Sequence, residues 1–137
     1  MQNLIVPAKN DKLEDVIAFI DAFLSERDCP LRIQMAIELS VEEIFVNIAN
    51  YAYPDGEGEA EIRISETDGV VQIVFLDSGV PYDPLKKPDP DVTLSAEERK
   101  IGGLGVYLVK KSMDSVSYLY QNNKNVLTFT KRISPVF

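Results

Sequence analysis

The chain has 137 residues, 45% of them hydrophobic and 26% charged, and we predict one soluble domain spanning residues 1–137. The formal net charge of −8 argues against direct binding to nucleic acid or to an anionic membrane, and no apolar run is long enough to span a bilayer. The absence of histidine excludes triad hydrolases and most catalytic zinc sites. With one cysteine, Cys29, and no signal-peptide pattern, we expect a cytoplasmic protein.

The N-terminal third predicts one strand and two helices. Leu4–Val6 is a short apolar stretch that suits an edge strand, and Asn10 or Asp11 can cap a first helix whose apolar positions recur over 13–24. A second, longer helix is predicted from Leu31 to Tyr51, because its apolar positions form a continuous stripe at helical spacing.

The pattern then changes from a helical period to a period of two. Residues 60–64 alternate between apolar and polar and predict a half-buried strand. Thr67-Asp68-Gly69 predicts a hairpin turn into 70–76, whose dense apolar content favours a central strand. A proline-rich, charged stretch of about twenty residues follows, and so long a loop in a small domain is usually functional or disordered.

The last part of the chain predicts a third helix and a hairpin. The helix begins near Leu104, and strands at 116–120 and 126–130 flank a turn at 122–125. The order β-α-α-β-β-loop-α-β-β predicts an α+β fold. We expect a two-layer α/β sandwich with a mixed, mostly antiparallel sheet and its helices on one face.

The second helix carries the first candidate site residues. Glu43 and Asn47 are four residues apart and so share one helix face, beside the apolar stripe, whereas Glu42 points elsewhere. A carboxylate can act as a general base and an amide oxygen can ligate Mg²⁺. Taken alone, the pair is more typical of a solvated helix face.

An acid and a glycine follow the predicted central strand. A partly buried Asp77 can accept a hydrogen bond from an exocyclic amine such as that of adenine, and Gly79 permits close approach of a ligand. In isolation, Asp77-Ser78-Gly79 is better interpreted as a turn.

Glycines at 102, 103 and 105 precede the third helix. Free N–H groups at such a helix entry can bind an anion, although this is neither the dinucleotide fingerprint nor a Walker loop. A glycine-rich helix entry is also a common structural device. The three motifs together, in this order and with a long loop between the second and third, form a set of parts suited to Mg-ATP.

The sequence resembles the nucleotide-binding fold shared by gyrase, Hsp90 chaperones, histidine kinases and MutL, known as the Bergerat or GHKL fold. Within it, the chain is most similar to the anti-sigma-factor serine/threonine kinases of the RsbW and SpoIIAB type. The similarity runs over nearly the whole chain and is strongest over 94–116. It maps the N-box onto Glu43 and Asn47, the G1 box onto Asp77 and Gly79, and the G2 box onto glycines 103 and 105.

The resemblance implies a role for each residue of these boxes. Glu43 should take the proton from a serine or threonine hydroxyl of a partner, and Asn47 should ligate Mg²⁺ between the phosphates. Asp77 should hydrogen-bond the adenine amine, with Gly79 giving room to the base. On the last strand, the resemblance implies that Thr128 supports adenine through water, although a simple strand threonine is the better interpretation of this position.

The resemblance also places the phosphates and a lid. Gly103 and Gly105 should receive the phosphates, and Gly102 and Leu104 belong to the same cofactor-binding stretch, with Gly102 serving mainly to turn the corner. Residues from about 84 to 101 should form the ATP lid. From that lid either Arg99 or Lys100 should reach the γ-phosphate.

Two positions depart from the family pattern. Tyr51 stands where relatives often have histidine, and Ser78 stands where many have asparagine. Both departures bear on the shape of the pocket rather than on the residues assigned to the chemistry.

The function implied is phosphorylation of a small anti-sigma-factor antagonist of the STAS type by ATP and Mg²⁺. A sigma factor and a second copy of the chain are further partners that the resemblance suggests. The alternative is a nucleotide-dependent interaction module without kinase activity. A third reading is an α+β domain that binds no nucleotide.

Overall fold

The computed structural model describes residues 1–86 and 104–134, which form a five-stranded sheet and three α-helices. The elements are β1 (Gln2–Pro7), α1 (Leu13–Ser25), α2 (Leu31–Tyr51), β2 (Glu59–Thr67), β3 (Val70–Asp77), α3 (Leu104–Ser112), β4 (Ser115–Gln121) and β5 (Lys124–Arg132). This confirms the predicted order of helices and strands. Over the described ranges, no helix is both long and apolar enough to cross a bilayer.

The strands lie in the order β1-β2-β3-β5-β4, with β3 at the centre and β1 at an edge, as predicted. All four pairings are antiparallel. The predicted α+β class is therefore confirmed, and the sheet is antiparallel throughout the described residues rather than mixed. Tight hairpins join β2 to β3 and β4 to β5 and account for two of these pairings, whereas β1–β2 and β3–β5 are joined through connections that contain helices.

The helices cover one face of the sheet. Alternate side chains of the three central strands point into the core, where Ile62, Ile73, Phe75 and Phe129 are at most 1% exposed. The rings of Phe75 and Phe129 lie 5.8 Å apart on neighbouring strands. The helices contribute the other side of this core, with the buried residues Val16, Ile20, Phe23, Leu24, Ile37, Val41, Ile44, Phe45, Ile48, Val106 and Val109. The fold is thus a two-layer sandwich with a single core between sheet and helices.

Two-residue turns set the register of both hairpins. Asp68 and Gly69 have φ of 52° and 83°, and Asn122 and Asn123 have φ of 56° and 62°. Two consecutive left-handed residues form the type I′ turn, whose twist matches that of the flanking strands. The predicted turn at 122–125 is too long, because the strand resumes at Lys124 and Asn125 lies inside β5.

The start of α1 differs from the prediction. Neither Asn10 nor Asp11 caps the helix, because both lie in a 3-10 turn that ends at Lys12. The Asn10 side chain instead donates to Asn50 Oδ1 over 2.8 Å. This bond ties the entry of α1 to the last turn of α2.

Candidate functional site

A cleft lies between α2 and the ends of the central strands. It holds about 470 Å³ of empty space, open mouth included. Its walls are formed by Ile44, Asn47, Ile48, Tyr51, Ala52, Phe75, Asp77, Val80, Tyr82, Pro84, Tyr118, Asn125 and Leu127. A largely apolar cleft with a few convergent polar groups is the usual form of a small-molecule site.

Asp77 ends the central strand β3 and is only 6% exposed. Its Oδ1 accepts hydrogen bonds from the Gly79 N–H and from Asn125 Nδ2, each over 2.9 Å. Burial raises the pKa of Asp77, and the two donors oppose that shift. Within the described residues both hydrogen bonds go to Oδ1, so Oδ2 is the carboxylate oxygen left for a ligand in the cleft.

Gly79 lies against the end of α2. A Cβ atom at this position would overlap the Ala52 carbonyl oxygen and would lie 2.6 Å from the Ala52 Cβ. The next residue, Val80, donates its N–H to that same carbonyl over 2.9 Å. Glycine is needed here because the chain must pass the end of the helix at contact distance.

Ser78 is held by a tyrosine hydroxyl. The Ser78 N–H donates to Tyr53 Oη over 2.9 Å, and this hydroxyl donates to the Glu59 carbonyl over 2.6 Å. Tyr53 follows α2 and Glu59 begins β2, so one side chain links three parts of the chain. The segment after Asp77 is consequently anchored at successive backbone groups.

Helix α2 carries the two predicted N-box residues. Asn47 is half-buried and lines the cleft, whereas Glu43, one turn earlier, is exposed. Gly105, at the start of α3, lies against the Glu43 side chain: a Cβ there would be 2.7 Å from Glu43 Cδ. The structure therefore brings together Glu43 and Gly105, which are sixty-two residues apart in the chain.

Several predicted site residues fall outside the description. Arg99, Lys100, Gly102 and Gly103 are not among the described residues, and of the predicted lid at 84–101 only the short 3-10 turn Pro84–Lys86 is. Leu104 begins α3, as predicted.

Thr128 does not belong to the cleft. It pairs with Val74 and Ser117 in the sheet, between Leu127 and Phe129, whose buried side chains face the helices. Because neighbouring strand residues point to opposite faces, the Thr128 side chain lies on the sheet face away from the helices. The geometry therefore does not support the predicted water-mediated role.

Asn125 is a polar cleft residue that the sequence motifs do not predict. It lies opposite Asp77 in the register of β3 and β5 and is 7% exposed. The sequence contains a usable pattern, because a two-residue turn at Asn122-Asn123 returns residue 125 to the strand. Residue 125 is then two positions before Leu127 and so points to the same core face. Tyr82 and Tyr118 also line the cleft, and no local sequence motif identifies either of them as a site residue.

Fold and cleft together are those of an α+β ligand-binding domain in which one helix and the central strands enclose the site. The chain belongs to the histidine kinase-like ATPase domain family, whose model matches residues 6–131. Membership in this family implies an ATP site, as predicted. No group of three or more cysteine, aspartate or glutamate side chains in the described residues is placed to hold a metal.

Two curated relatives are named as kinases. The chain is 28% identical over 105 residues to the serine/threonine-protein kinase BtrW of Bordetella bronchiseptica, covering 76% of this chain and 74% of that one. It is also 28% identical over 104 residues to the serine-protein kinase RsbW of Listeria monocytogenes, covering 72% of this chain and 65% of that one. The predicted resemblance to kinases of the RsbW type is confirmed.

Two solved structures share the fold. A crystal structure of the RsbU and RsbW domains of Rv1364c from Mycobacterium tuberculosis superposes with a TM-score of 0.65 at 15% identity, over 99% of this chain and 34% of that one. The catalytic domain of the histidine kinase ThkA gives a TM-score of 0.54 at 13% identity, over 99% of this chain and 100% of that one. Both likenesses confirm the predicted α+β fold.

Proposed function

We propose that this protein is an ATP- and Mg²⁺-dependent serine/threonine kinase that acts in the cytoplasm on a small antagonist protein. One observation carries the proposal: Asn47 lines the cleft, and Glu43, one helical turn away, stands exposed beside the start of α3. A base that must meet the hydroxyl of another protein has to be reachable from outside. The kinase names of two relatives support the same activity.

The adenine end of the cleft is assigned to Asp77 and Gly79. Asp77 presents Oδ2 as an acceptor for the exocyclic amine, while Gly79 lets the chain after Asp77 pass the Ala52 carbonyl at contact distance. Apolar side chains of Ile48, Phe75 and Leu127 line the same cleft and suit the faces of a flat aromatic base.

The Mg²⁺ site is assigned to Asn47. Its amide oxygen is a hard ligand on the cleft wall, and Mg²⁺ commonly takes one or two protein oxygens together with phosphates and water. When bound, the ion neutralises charge on the phosphates and orients them.

The transfer step is assigned to Glu43. As the partner's hydroxyl oxygen forms its bond to the γ-phosphorus, the bond from that phosphorus to the bridging oxygen breaks, and ADP leaves. The hydroxyl proton passes to the Glu43 carboxylate. Positioning and charge neutralisation supply most of the rate enhancement in such reactions, with the base adding a further factor.

The test is a phosphorylation assay with ATP, Mg²⁺ and the cognate antagonist. Wild-type protein should label a serine or threonine of the antagonist. Glu43→Gln should lower the rate about a hundredfold while leaving ATP affinity nearly unchanged. Glu42→Gln is the matched control, because Glu42 is the exposed neighbour on the same helix and should transfer at the wild-type rate.

Two negative outcomes have different meanings. ATP binding without transfer to any partner would refute the kinase and leave a nucleotide-dependent interaction module. Failure to bind ATP or ADP at millimolar concentration would refute both.

The partners follow from the same proposal. A STAS-type antagonist is the substrate, a sigma factor is the competing partner, and the working form is a homodimer. Pull-down of each candidate with ATP or ADP present, together with sedimentation of the free protein, tests these assignments one by one. A monomer at all concentrations would contradict the dimer alone.

A further inference from the structure

Asn125 is the most highly connected polar side chain of the cleft. It is 7% exposed, and its Nδ2 group donates to Asp77 Oδ1 and to the Val80 carbonyl, each over 2.9 Å. Its Oδ1 accepts from the Tyr82 N–H over 3.1 Å and from the Tyr118 hydroxyl. Two donated and two accepted hydrogen bonds use the full capacity of a primary amide.

The orientation of this amide is fixed by the backbone. The Val80 carbonyl can only accept a hydrogen bond, and the Tyr82 N–H can only donate one. A flipped Asn125 would set its NH₂ against the Tyr82 N–H and its oxygen against the Val80 carbonyl. Asp77 therefore always faces the NH₂ group of the Asn125 amide.

The fixed NH₂ group of Asn125 determines which hydrogen-bonding role Asp77 has toward a ligand. Asn125 Nδ2 and the Gly79 N–H both donate to Oδ1, which stabilises the carboxylate form of Asp77 against the burial that raises its pKa, and Oδ2 remains an acceptor. An acceptor at this place suits the amino group of adenine. The oxo group of guanine is itself an acceptor and would face Oδ2 without a proton between them.

We propose that Asn125 is a positioning residue that keeps Asp77 a hydrogen-bond acceptor and thereby makes the cleft select adenine over guanine nucleotides. The proposal rests on the proposed function in one respect, that Asp77 meets the base. It adds a residue and a property, base selectivity.

The first test removes the amide. Asn125→Leu keeps the approximate volume but donates nothing to Asp77. We expect the ratio of ATP to GTP affinity, measured by calorimetry, to fall about tenfold, the effect of losing one hydrogen bond to a charged group. Thr130→Val is the matched control on the same strand and the opposite face, where the ratio should be unchanged.

The second test uses Asn125→Asp, and its readout is the pH dependence of ATP affinity. The titratable groups around position 125 are Asp77 on β3, Tyr118 and Tyr120 on β4, and Tyr82 and Asp83 in the loop after β3. At about pH 5.5 a protonated carboxyl at 125 can still donate to Asp77, so ATP affinity should approach that of the wild type. As pH rises to 8 the proton is lost, two carboxylates face each other, and ATP affinity should fall about tenfold or more.

The outcomes separate this proposal from the proposed function. If wild-type protein binds no ATP, the proposed function fails. If wild-type protein binds ATP and prefers it to GTP, while Asn125→Leu keeps the same preference, the role of Asn125 alone is overturned. Should Asn125→Leu not fold, as judged by circular dichroism, an Asn125→Asp variant with the same pH profile as wild type would overturn it equally.

Discussion

The backbone of Gly105 lies against the carboxylate of Glu43, so that a methyl group on this glycine would occupy the space of Glu43 Oε2. This contact joins the first turn of α3 to the middle of α2. It also makes the position of the proposed base depend on the absence of a side chain in another helix.

Gly105→Ala should therefore impair catalysis without impairing folding. The clash falls on the end of a flexible side chain, which can move aside, and alanine is a better helix former than glycine by about 0.5–1 kcal/mol. We expect kcat for antagonist phosphorylation to fall about tenfold or more, with an unchanged or slightly higher melting temperature. Gly56→Ala is the control, since a Cβ there meets nothing within 4 Å. An unchanged kcat would show that the displaced Glu43 still reaches its target, or that it is not the base.

Gly79→Ala should destabilise the protein and weaken nucleotide binding together. The new Cβ would strike the Ala52 carbonyl, which belongs to backbone and cannot rotate away. We expect a loss of about 1–3 kcal/mol in the free energy of unfolding, measured in urea, and weaker ATP binding by calorimetry. Gly56→Ala again serves as control. Wild-type stability in Gly79→Ala would mean that the segment after Asp77 can shift away from α2.

Tyr53→Phe should loosen the same segment from the other side. The change removes the hydroxyl that accepts from the Ser78 N–H and donates to the Glu59 carbonyl. We expect a loss of about 0.5–1.5 kcal/mol in unfolding free energy, because two hydrogen bonds are lost at a place where water can replace part of them. Tyr120→Phe, on an exposed tyrosine of β4, provides the comparison and should change stability little. Equal stability of the two variants would contradict the bridging role of Tyr53.

Glu38 should make stability depend on pH near neutrality. Its hydrogen bond with Asp21, together with burial, raises the pKa of Glu38 from 4.5 to about 7. A pKa raised by folding means that the protonated form is stabilised in the native state. That stabilisation is complete below about pH 4.5 and is lost as pH rises through about 7.

Urea unfolding between pH 5 and 8 tests this dependence. Glu38→Gln keeps a donor for Asp21 at every pH, so its stability relative to wild type should rise across this window. The exposed Glu42, four residues further along α2, gives the control variant Glu42→Gln, whose stability should run parallel to that of wild type. If the difference in unfolding free energy between Glu38→Gln and wild type stayed constant over this pH range, the hydrogen bond of protonated Glu38 with Asp21 would be disproved.

Much of the fold could be predicted because local signals and tertiary packing agree. Helix α2 runs from Leu31 to Tyr51 as predicted, since its apolar stripe faces the sheet and Pro30 precedes it. The burial of Asp77 could likewise be anticipated from its place at the end of an apolar strand.

The rest of the site depended on contacts between distant segments. The sequence predicts a turn that includes Asn125, because asparagine is common in turns. The two-residue turn of the structure instead places Asn125 opposite Asp77. The face of Thr128 follows from its alternation with the buried Leu127, and this agrees with the simple strand threonine rather than with the role implied by the resemblance. No sequence rule could give the contact of Glu43 with Gly105, because it depends on how α2 and α3 pack.

The Asn122-Asn123 turn has a consequence for how this domain tolerates changes in length. Hairpin tips at a protein surface usually accept an inserted residue at little cost. If an insertion here moved the pairing of β5 by one step, Asn125 would turn outward, Val126 would enter the cleft, and Thr128 would replace Leu127 or Phe129 in the core. An added residue at this tip that shifts the register should therefore be as damaging as a substitution in the cleft itself.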